Sequence, residues 1–384
     1  MELAEKIGLE IYGSKGNSFF EERNLNPRRA QLVKAQTMHD VFYIPGNNIP
    51  GAYVKIAKKD KSGTSERREM DTEGIWYNIL RNDLKIPGAP IALTFAISNE
   101  YALAVEEVPG TATDKLFREI AKERGAEGLA ESREFADVLE RSAEISARGY
   151  LLHRKNPENT PVYFRGADGG FDSGEFDSLN ARTIKIMKAN GRDVRTLFPL
   201  LDIPKTELTA PKNRALYRDA TPLNWIFSEE GVVAIDLGST SYRPPQFELI
   251  ALIETPKTGI DEINCNTKSK VIERYRKLLV AHELTVSPEE IFNRDYILAS
   301  FVKNASATAS RIEHIAKNNA MIASEDQAQQ KLGSERLPRN IEAKRFHAQR
   351  AIEAIESLSD YWINVGFSEE AKKQKDLFEN ELLV

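Results

Sequence analysis

Leu216-Tyr217-Arg218-Asp219-Ala220-Thr221-Pro222-Leu223-Asn224-Trp225-Ile226-Phe227, a Ser228-Glu229-Glu230-Gly231 turn, and Val232-Val233-Ala234-Ile235-Asp236-Leu237-Gly238 form the stretch that decides the fold. Asp219 and Asn224 stand five residues apart and flank a proline. Residues 225–227 and 232–235 are short β-branched and aromatic runs on either side of a turn, the pattern of a hairpin. A hairpin returns its two ends to one sheet edge, which predicts Asn224 and Asp236 as neighbours beside Asp219. Two carboxylates and an amide oxygen are hard donors, suited to Mg²⁺ carrying phosphates. Asp-x₄-Asn by itself is common; joined to the hairpin and to Asp-Leu-Gly it is far more specific.

Upstream of this stretch the sequence reads mostly as strand. Residues 40–44 and 52–57 alternate apolar and polar side chains around a Gly/Asn/Pro turn cluster, predicting a hairpin with a longer loop. Met70, Gly74, Ile75, Ile79 and Leu80 recur near helical spacing and predict an amphipathic helix over 69–80. Two further strands are expected at 91–97 and 101–105, and Val108-Pro109-Gly110 marks a hinge. Beyond the hinge the chain turns helical, at 112–124, 130–153 and 181–201, with a polar loop over 155–180. Nearly all of 255–384 reads as helix. A polar connector at 324–340 precedes a last long helix, whose buried stripe is Ile341, Phe346, Ile352, Ile355, Leu358 and Trp362.

On these residues the sequence resembles the protein-kinase-like superfamily, in its branch of aminoglycoside and choline phosphotransferases. Residues 217–224 resemble that branch's catalytic loop, and Asp236-Leu237-Gly238 its metal-binding Asp-Phe-Gly. Val54-Lys55 resembles the lysine-bearing third strand, Glu73 its helix partner, and residues 105–110 the adenine-contacting hinge. The five elements fall in family order over roughly residues 30–255. The resemblance implies an α+β bilobal fold, with an N-terminal antiparallel sheet lobe at 1–109 and a larger helical lobe at 110–384. It also implies ATP and Mg²⁺ as cofactors and a small hydroxylated molecule as acceptor of the γ-phosphoryl group.

In phosphoryl transfer a protein mainly positions groups and neutralises charge. By resemblance, Lys55 contacts the α/β phosphates and is held by Glu73, while Asn224 and Asp236 ligate the metal. Asp219 orients the acceptor hydroxyl and takes its proton. The Glu106 carbonyl and Val108 amide meet adenine, and Thr37 contributes a hydroxyl to the phosphates. The chain departs from the family at Tyr217, where His is usual, at Leu237, where Phe is usual, and over 32–39, which lacks glycine. Thr221 stands where protein kinases carry lysine, and little chain separates Asp236 from the helix-like run at 247–252. A small acceptor is therefore expected rather than a peptide. The alternatives are a kinase-like nucleotide-binding protein without turnover, a pseudokinase or scaffold, and less readily a protein kinase.

Composition sets outer bounds. The 384 residues suggest two domains, or one domain with a large second lobe, and 41% hydrophobic with 29% charged residues suits a packed core. A formal net charge of -5 disfavours non-specific nucleic-acid binding. The single cysteine, Cys265, excludes an internal disulfide framework and suits a reducing compartment. The N-terminal residues lack a secretory pattern and no apolar run is long enough to span a bilayer, so a soluble, cytoplasmic protein is expected, without membrane partners. The five histidines show no metal-ligand pairing, and no Gly-x-Ser-x-Gly elbow is present.

Overall fold

The computed structural model of the chain describes residues 10–11, 14, 16–35, 39–57, 64–97, 100–161, 173–208 and 214–383. Helix α1 (Asn17–Glu22) precedes strands β1 (Gln31–Ala35), β2 (His39–Ile44) and β3 (Ala52–Ala57). Helix α2 (Thr64–Asn82) then crosses to β4 (Ala92–Ile97) and β5 (Glu100–Glu106). The strands pair antiparallel in the order β1-β2-β3-β5-β4. Strand periodicity divides the side chains. Phe42, Ile44, Val54, Ile56, Ala102 and Ala104 form one core with Phe19, Phe20 and Phe95. Lys55 lies opposite Leu103 in the β3–β5 register, and Leu103 packs with α2 in the second core.

The connection past residue 106 is tight. β6 (Thr111–Ala112) pairs with β8 (Trp225–Ser228), which forms the expected hairpin with β9 (Gly231–Ala234). A Cβ on Gly110 would lie 2.0 Å from the Phe227 carbonyl oxygen, so only glycine lets the chain approach the hairpin there. The remainder is helical: α3 (Thr113–Ala130), α4 (Arg133–Lys155), α5 (Ser173–Ala189), α6 (Leu197–Leu208), α7 (Pro245–Ile253), α8 (Cys265–Ala281), α9 (Glu289–Ile322), α10 (Gln327–Ser357), α11 (Ser359–Asn364) and α12 (Ser368–Leu383). Two short strands, β7 (Ala215–Tyr217) and β10 (Ser241–Arg243), pair antiparallel beside the hairpin. No helix among the described residues is long and apolar enough to cross a membrane.

Five sequence expectations need correction. Part of the segment expected to cover the phosphates is strand, because Gln31–Ala35 pairs with β2; Thr37 lies outside the described residues. On α2 Glu73 faces inward, 2% exposed, as a partner of Lys55 must, but Ile75, counted on the apolar face, is 41% exposed. Part of the loop expected over 155–180 is helix, since α5 begins at Ser173, and the helix expected over 181–201 is broken at Gly191, whose φ is 76°. The connector expected at 324–340 is largely the first half of α10. Asp326 starts that helix by accepting from the Ala328 and Gln329 amides, and Gly333 seats it against Asn318 and Met321 of α9.

A buried polar knot ties α7, α8, α9 and α10 together. The Glu254 carboxylate accepts from Tyr296 Oη at 2.6 Å, Ser300 Oγ and Asn304 Nδ2 at 2.8 Å, and Lys268 Nζ at 3.2 Å. Asn304 Oδ1 in turn lies 2.8 Å from His347 Nδ1. Burial acts to raise the Glu254 carboxyl, but Lys268 and the three neutral donors bring it down to about 2 from 4.5. Burial, then the charges of Arg311 and Lys303, lower His347 from 6.5 to about 3. Both groups bind protons more readily in the unfolded chain, so their contribution is complete above pH 6.5 and falls on acidification. The urea midpoint is expected to drop between pH 6.5 and 4.5 through His347, and further below 4.5 through Glu254. His347→Gln should flatten the first part of that decline. A wild-type midpoint constant over the whole range excludes the linkage.

Candidate active site

The alternation of β3 puts Tyr53 and Lys55 on one face of the sheet. Lys55 Nζ lies 2.8 Å from both Glu73 oxygens and 3.2 Å from Asp236 Oδ1. Residues 181 positions apart thus meet across the cleft. Burial alone would lower the Lys55 ammonium, but Glu73 and Asp236 hold it well above its ordinary value. Burial pushes the Glu73 carboxyl up and Lys55 opposes this; with both oxygens on the ammonium, Glu73 is its counter-ion. Gly74 lets α2 approach the sheet closely enough for this pairing, since a Cβ there would meet Thr94 Cγ2 at 3.0 Å and Leu103 Cδ1 at 3.1 Å.

Tyr77 adds a connection that the sequence did not disclose. One turn beyond Glu73, its hydroxyl donates to Glu73 Oε1 at 3.3 Å and accepts from the Asp236 amide at 2.9 Å. A single phenol therefore joins the lysine's counter-ion to the backbone of Asp-Leu-Gly. Gly238 lies against α2 as well, because a Cβ there would stand 2.5 Å from Glu69 Cγ.

Asn224 and Asp236 flank the hairpin as its pattern predicts. Trp225 pairs with Ala234, and the Ile235 amide donates to the Asn224 carbonyl at 2.9 Å. Asn224 Nδ2 donates to the Asp219 carbonyl at 2.9 Å, which fixes the amide plane and turns Oδ1 away from that bond. Asp219 and Asp236 both have φ of 58°, left-handed backbone that few residues other than glycine adopt. Such strain, on the order of 1–3 kcal/mol at each position, persists where the surroundings over-determine the chain.

Here the surroundings do so through Arg218. Its guanidinium makes a fully buried pair with Glu248 of α7, with Nε at 2.9 Å and Nη2 at 2.6 Å from Oε1. The Arg218 amide donates to Glu248 Oε2 at 2.9 Å, and the guanidinium lies 4.6 Å from the Trp225 ring centre. Removing one partner of such a buried pair costs about 3–5 kcal/mol. Arg218 therefore spends its charge on Glu248 and not on its neighbour Asp219, whose Oδ1 accepts from Tyr217 Oη at 3.2 Å. Burial, then the Asp219 charge, push the Tyr217 phenol well above its ordinary value, so it remains a protonated donor.

The hinge residues lie at the edge of the sheet. Glu106 ends β5, where its carboxylate accepts from the Ile91 amide at 3.3 Å. Glu107, not singled out from sequence, clamps the hinge to the sheet by accepting from Tyr43 Oη at 2.8 Å and the Gly51 amide at 2.7 Å. Burial and Glu107 push the Tyr43 phenol up to about 12. The Val108 amide makes no hydrogen bond with the described residues. A cavity of about 600 Å³ touches the hinge beside the β8–β9 turn, and its lining includes none of Lys55, Asp219, Asn224 and Asp236.

Among the described residues no cluster of three or more His, Cys, Asp or Glu side chains could hold a metal ion by itself. A nucleotide-borne Mg²⁺ asks less of the protein, since phosphate oxygens and water supply most of its ligands. The donor set fits that requirement. Asn224 has an oriented amide oxygen, and the Asp236 side chain is 56% exposed with one oxygen on Lys55. Thr37, the remaining residue assigned to the nucleotide, lies outside the described residues.

The antiparallel sheet over a helical body, with a lysine–glutamate pair facing an Asp-Leu-Gly across a cleft, is a bilobal protein-kinase-like fold. Among solved structures, a choline kinase from Cryptosporidium parvum Iowa II matches 94% of this chain over 96% of its own length, with a TM-score of 0.53 at 10% identity. That likeness establishes the fold. An aminoglycoside phosphotransferase from Streptomyces rimosus, in complex with ADP and streptomycin, matches 72% of this chain and 92% of its own at 15% identity, with a TM-score of 0.42. An amicoumacin kinase in complex with AMP-PNP and Ca²⁺ matches 87% and 93% at 12% identity, with a TM-score of 0.46. No family model matches the chain, and no curated protein does.

Proposed function

We propose that this protein is a phosphotransferase that moves the γ-phosphoryl group of ATP, with Mg²⁺, to a hydroxyl of a small molecule. The observation that carries the reading is Lys55 held between Glu73 and Asp236 while Asn224, at the start of the hairpin that leads to Asp236, is bonded to the Asp219 carbonyl. In this reading residues 1–109 form the nucleotide-binding lobe and residues 110–384 the catalytic and acceptor lobe. Lys55 binds the α/β phosphates, and Glu73 keeps its ammonium from swinging into solvent. The Val108 amide and Glu106 carbonyl meet adenine, and Tyr53, exposed on the lysine's face, lies beside them. Asn224 and Asp236 hold Mg²⁺, which supplies charge neutralisation on the phosphates. Asp219 orients the acceptor hydroxyl and receives its proton, with Tyr217 holding one carboxylate oxygen.

A small acceptor is favoured over a protein by the short path after Asp-Leu-Gly. Ser241–Arg243 folds straight back onto β7, and α7 starts at Pro245, leaving little chain after Asp-Leu-Gly for a peptide-docking segment. The test combines Mg·ATP calorimetry with ATP consumption over a panel of hydroxyl compounds and phosphate incorporation into protein. Nucleotide binding with acceptor-dependent consumption is expected. Nucleotide binding with no turnover on any acceptor favours a pseudokinase; incorporation into protein favours a protein kinase. Absence of Mg·ATP binding rejects the reading.

A further inference from the structure

Asp219 opens into a cavity of about 470 Å³ whose lining carries more positive than negative charge. Arg182 of α5, Arg243 of β10 and Lys303 of α9 line it, and Asp219 is the single carboxylate among its described lining residues. Its volume suits a molecule of sugar size. Arg243 lies 4.4 Å from the Tyr217 ring centre, which fixes the guanidinium beside the phenol that donates to Asp219. Lys303 is partly buried and makes no hydrogen bond or ion pair with the described residues. Burial lowers its ammonium below the ordinary value, with Asp219 the foremost group opposing this.

On α9 the lining residues are Lys303, Ser306, Ala307 and Ser310, one face of the helix at intervals of three and four. The small side chains after Lys303 leave room beside the ammonium for a ligand. The same face continues through Arg311, His314 and Lys317, which line an adjoining cavity of about 490 Å³ together with Arg336 and Arg339. Arg182 links the two, because its charge bears on Glu313 and His314 as well as lining the cavity at Asp219. Glu313, the acid on this stretch of α9, is paired with Lys317 at 2.7 Å.

We infer that the acceptor is anionic: a hydroxylated molecule carrying a phosphate monoester, which Lys303, Arg182 and Arg243 bind while its free hydroxyl faces Asp219. The inference rests on the phosphotransferase reading and names its substrate class. Among the described lining residues cations outnumber carboxylates, and Lys303 makes no ion pair with the described residues, which suits a phosphate dianion. A cationic alcohol in the same place would meet like charge at Lys303. The reaction forms a new P–O bond from the acceptor hydroxyl to the γ-phosphorus and breaks its bond to the β,γ-bridging oxygen. ADP leaves, and the hydroxyl proton passes to Asp219.

The test is calorimetry on the full chain with glycerol 3-phosphate and ribose 5-phosphate against glycerol, ribose and choline. Each is titrated with and without saturating Mg²⁺ and a non-hydrolysable ATP analogue, which keeps phosphate esters out of the nucleotide site. Both esters are expected to bind more tightly than their neutral parents and than choline, with affinity falling as salt rises. Lys303→Gln and the surface variant Arg182→Gln should each weaken the esters about tenfold or more, with nucleotide affinity unchanged. Lys303→Arg should restore most of the loss. Preference for choline or a neutral alcohol, no ester binding, or ester affinity insensitive to both substitutions overturns the inference while leaving the phosphotransferase reading intact. Ester binding that depends on Lys303 in a chain that binds no Mg·nucleotide does the reverse: the anion site stands and the phosphotransferase reading falls.

Discussion

Replacing Asp219 with alanine is expected to lower acceptor-dependent ATP consumption by about 10²–10⁴-fold while leaving Mg·ATP affinity unchanged. The separation of the two effects follows from position. Asp219 sits on the hydroxyl side of the proposed transfer, in contact with Tyr217 and lining the cationic cavity, whereas its own backbone carbonyl anchors Asn224. Alanine removes the carboxylate and keeps that carbonyl, so the Asn224 amide proposed to hold the metal stays oriented. The left-handed φ of 58° makes alanine strained there, so Asp219→Asn, better suited to that backbone, is the companion variant. Consumption assays on both, beside nucleotide calorimetry, distinguish loss of the base from loss of the loop. Unchanged turnover in both variants refutes Asp219 as the proton acceptor.

Asp236→Ala is expected to remove the Mg²⁺ dependence of nucleotide binding, weakening Mg·ATP by at least about 100-fold, the upper end of what losing an outer-shell partner costs. Asp236 contributes twice in the proposed site, once as a metal ligand and once as a second carboxylate at 3.2 Å from Lys55. The lysine keeps Glu73, with which both oxygens engage at 2.8 Å, so phosphate binding without metal should persist weakly. Titration of ATP with Mg²⁺ and with EDTA measures both terms. Retention of full Mg²⁺-dependent affinity in Asp236→Ala removes Asp236 as a ligand.

Much of the fold was legible because its signals are local. The apolar alternation over 40–44 and 52–57 is a property of adjacent residues and predicts the β2–β3 hairpin found at Ile44 opposite Ala52. The helical signal over 69–80 was equally clear, yet it put Ile75 on the inward face, where Met70, Ile79 and Leu80 do lie. Periodicity counts Ile75 as apolar and cannot place Glu73, which only the family resemblance marked as the lysine's partner; the cleft supplies it with a lysine and a phenol and so makes its burial tolerable. Likewise the polar composition of 324–340 suggested a connector. A capping aspartate and a close helix–helix contact at Gly333 override that composition, and Pro338 is accommodated within the helix.

The order of Lys55, Glu73, Asp219, Asn224 and Asp236 along the chain, and the hairpin that joins the last two, were set by the sequence alone, since each depends on short-range pattern and spacing. Which partners those residues keep was decided only by tertiary packing. Arg218 is taken up by Glu248, Tyr77 bridges Glu73 to Asp236, and α5 and α9 bring Arg182 and Lys303 to the cavity beside Asp219. The physical reason is range. Hydrogen-bonded turns and side-chain periods extend over a few residues, whereas the charge around a reacting hydroxyl is the sum over elements that only the folded core holds together.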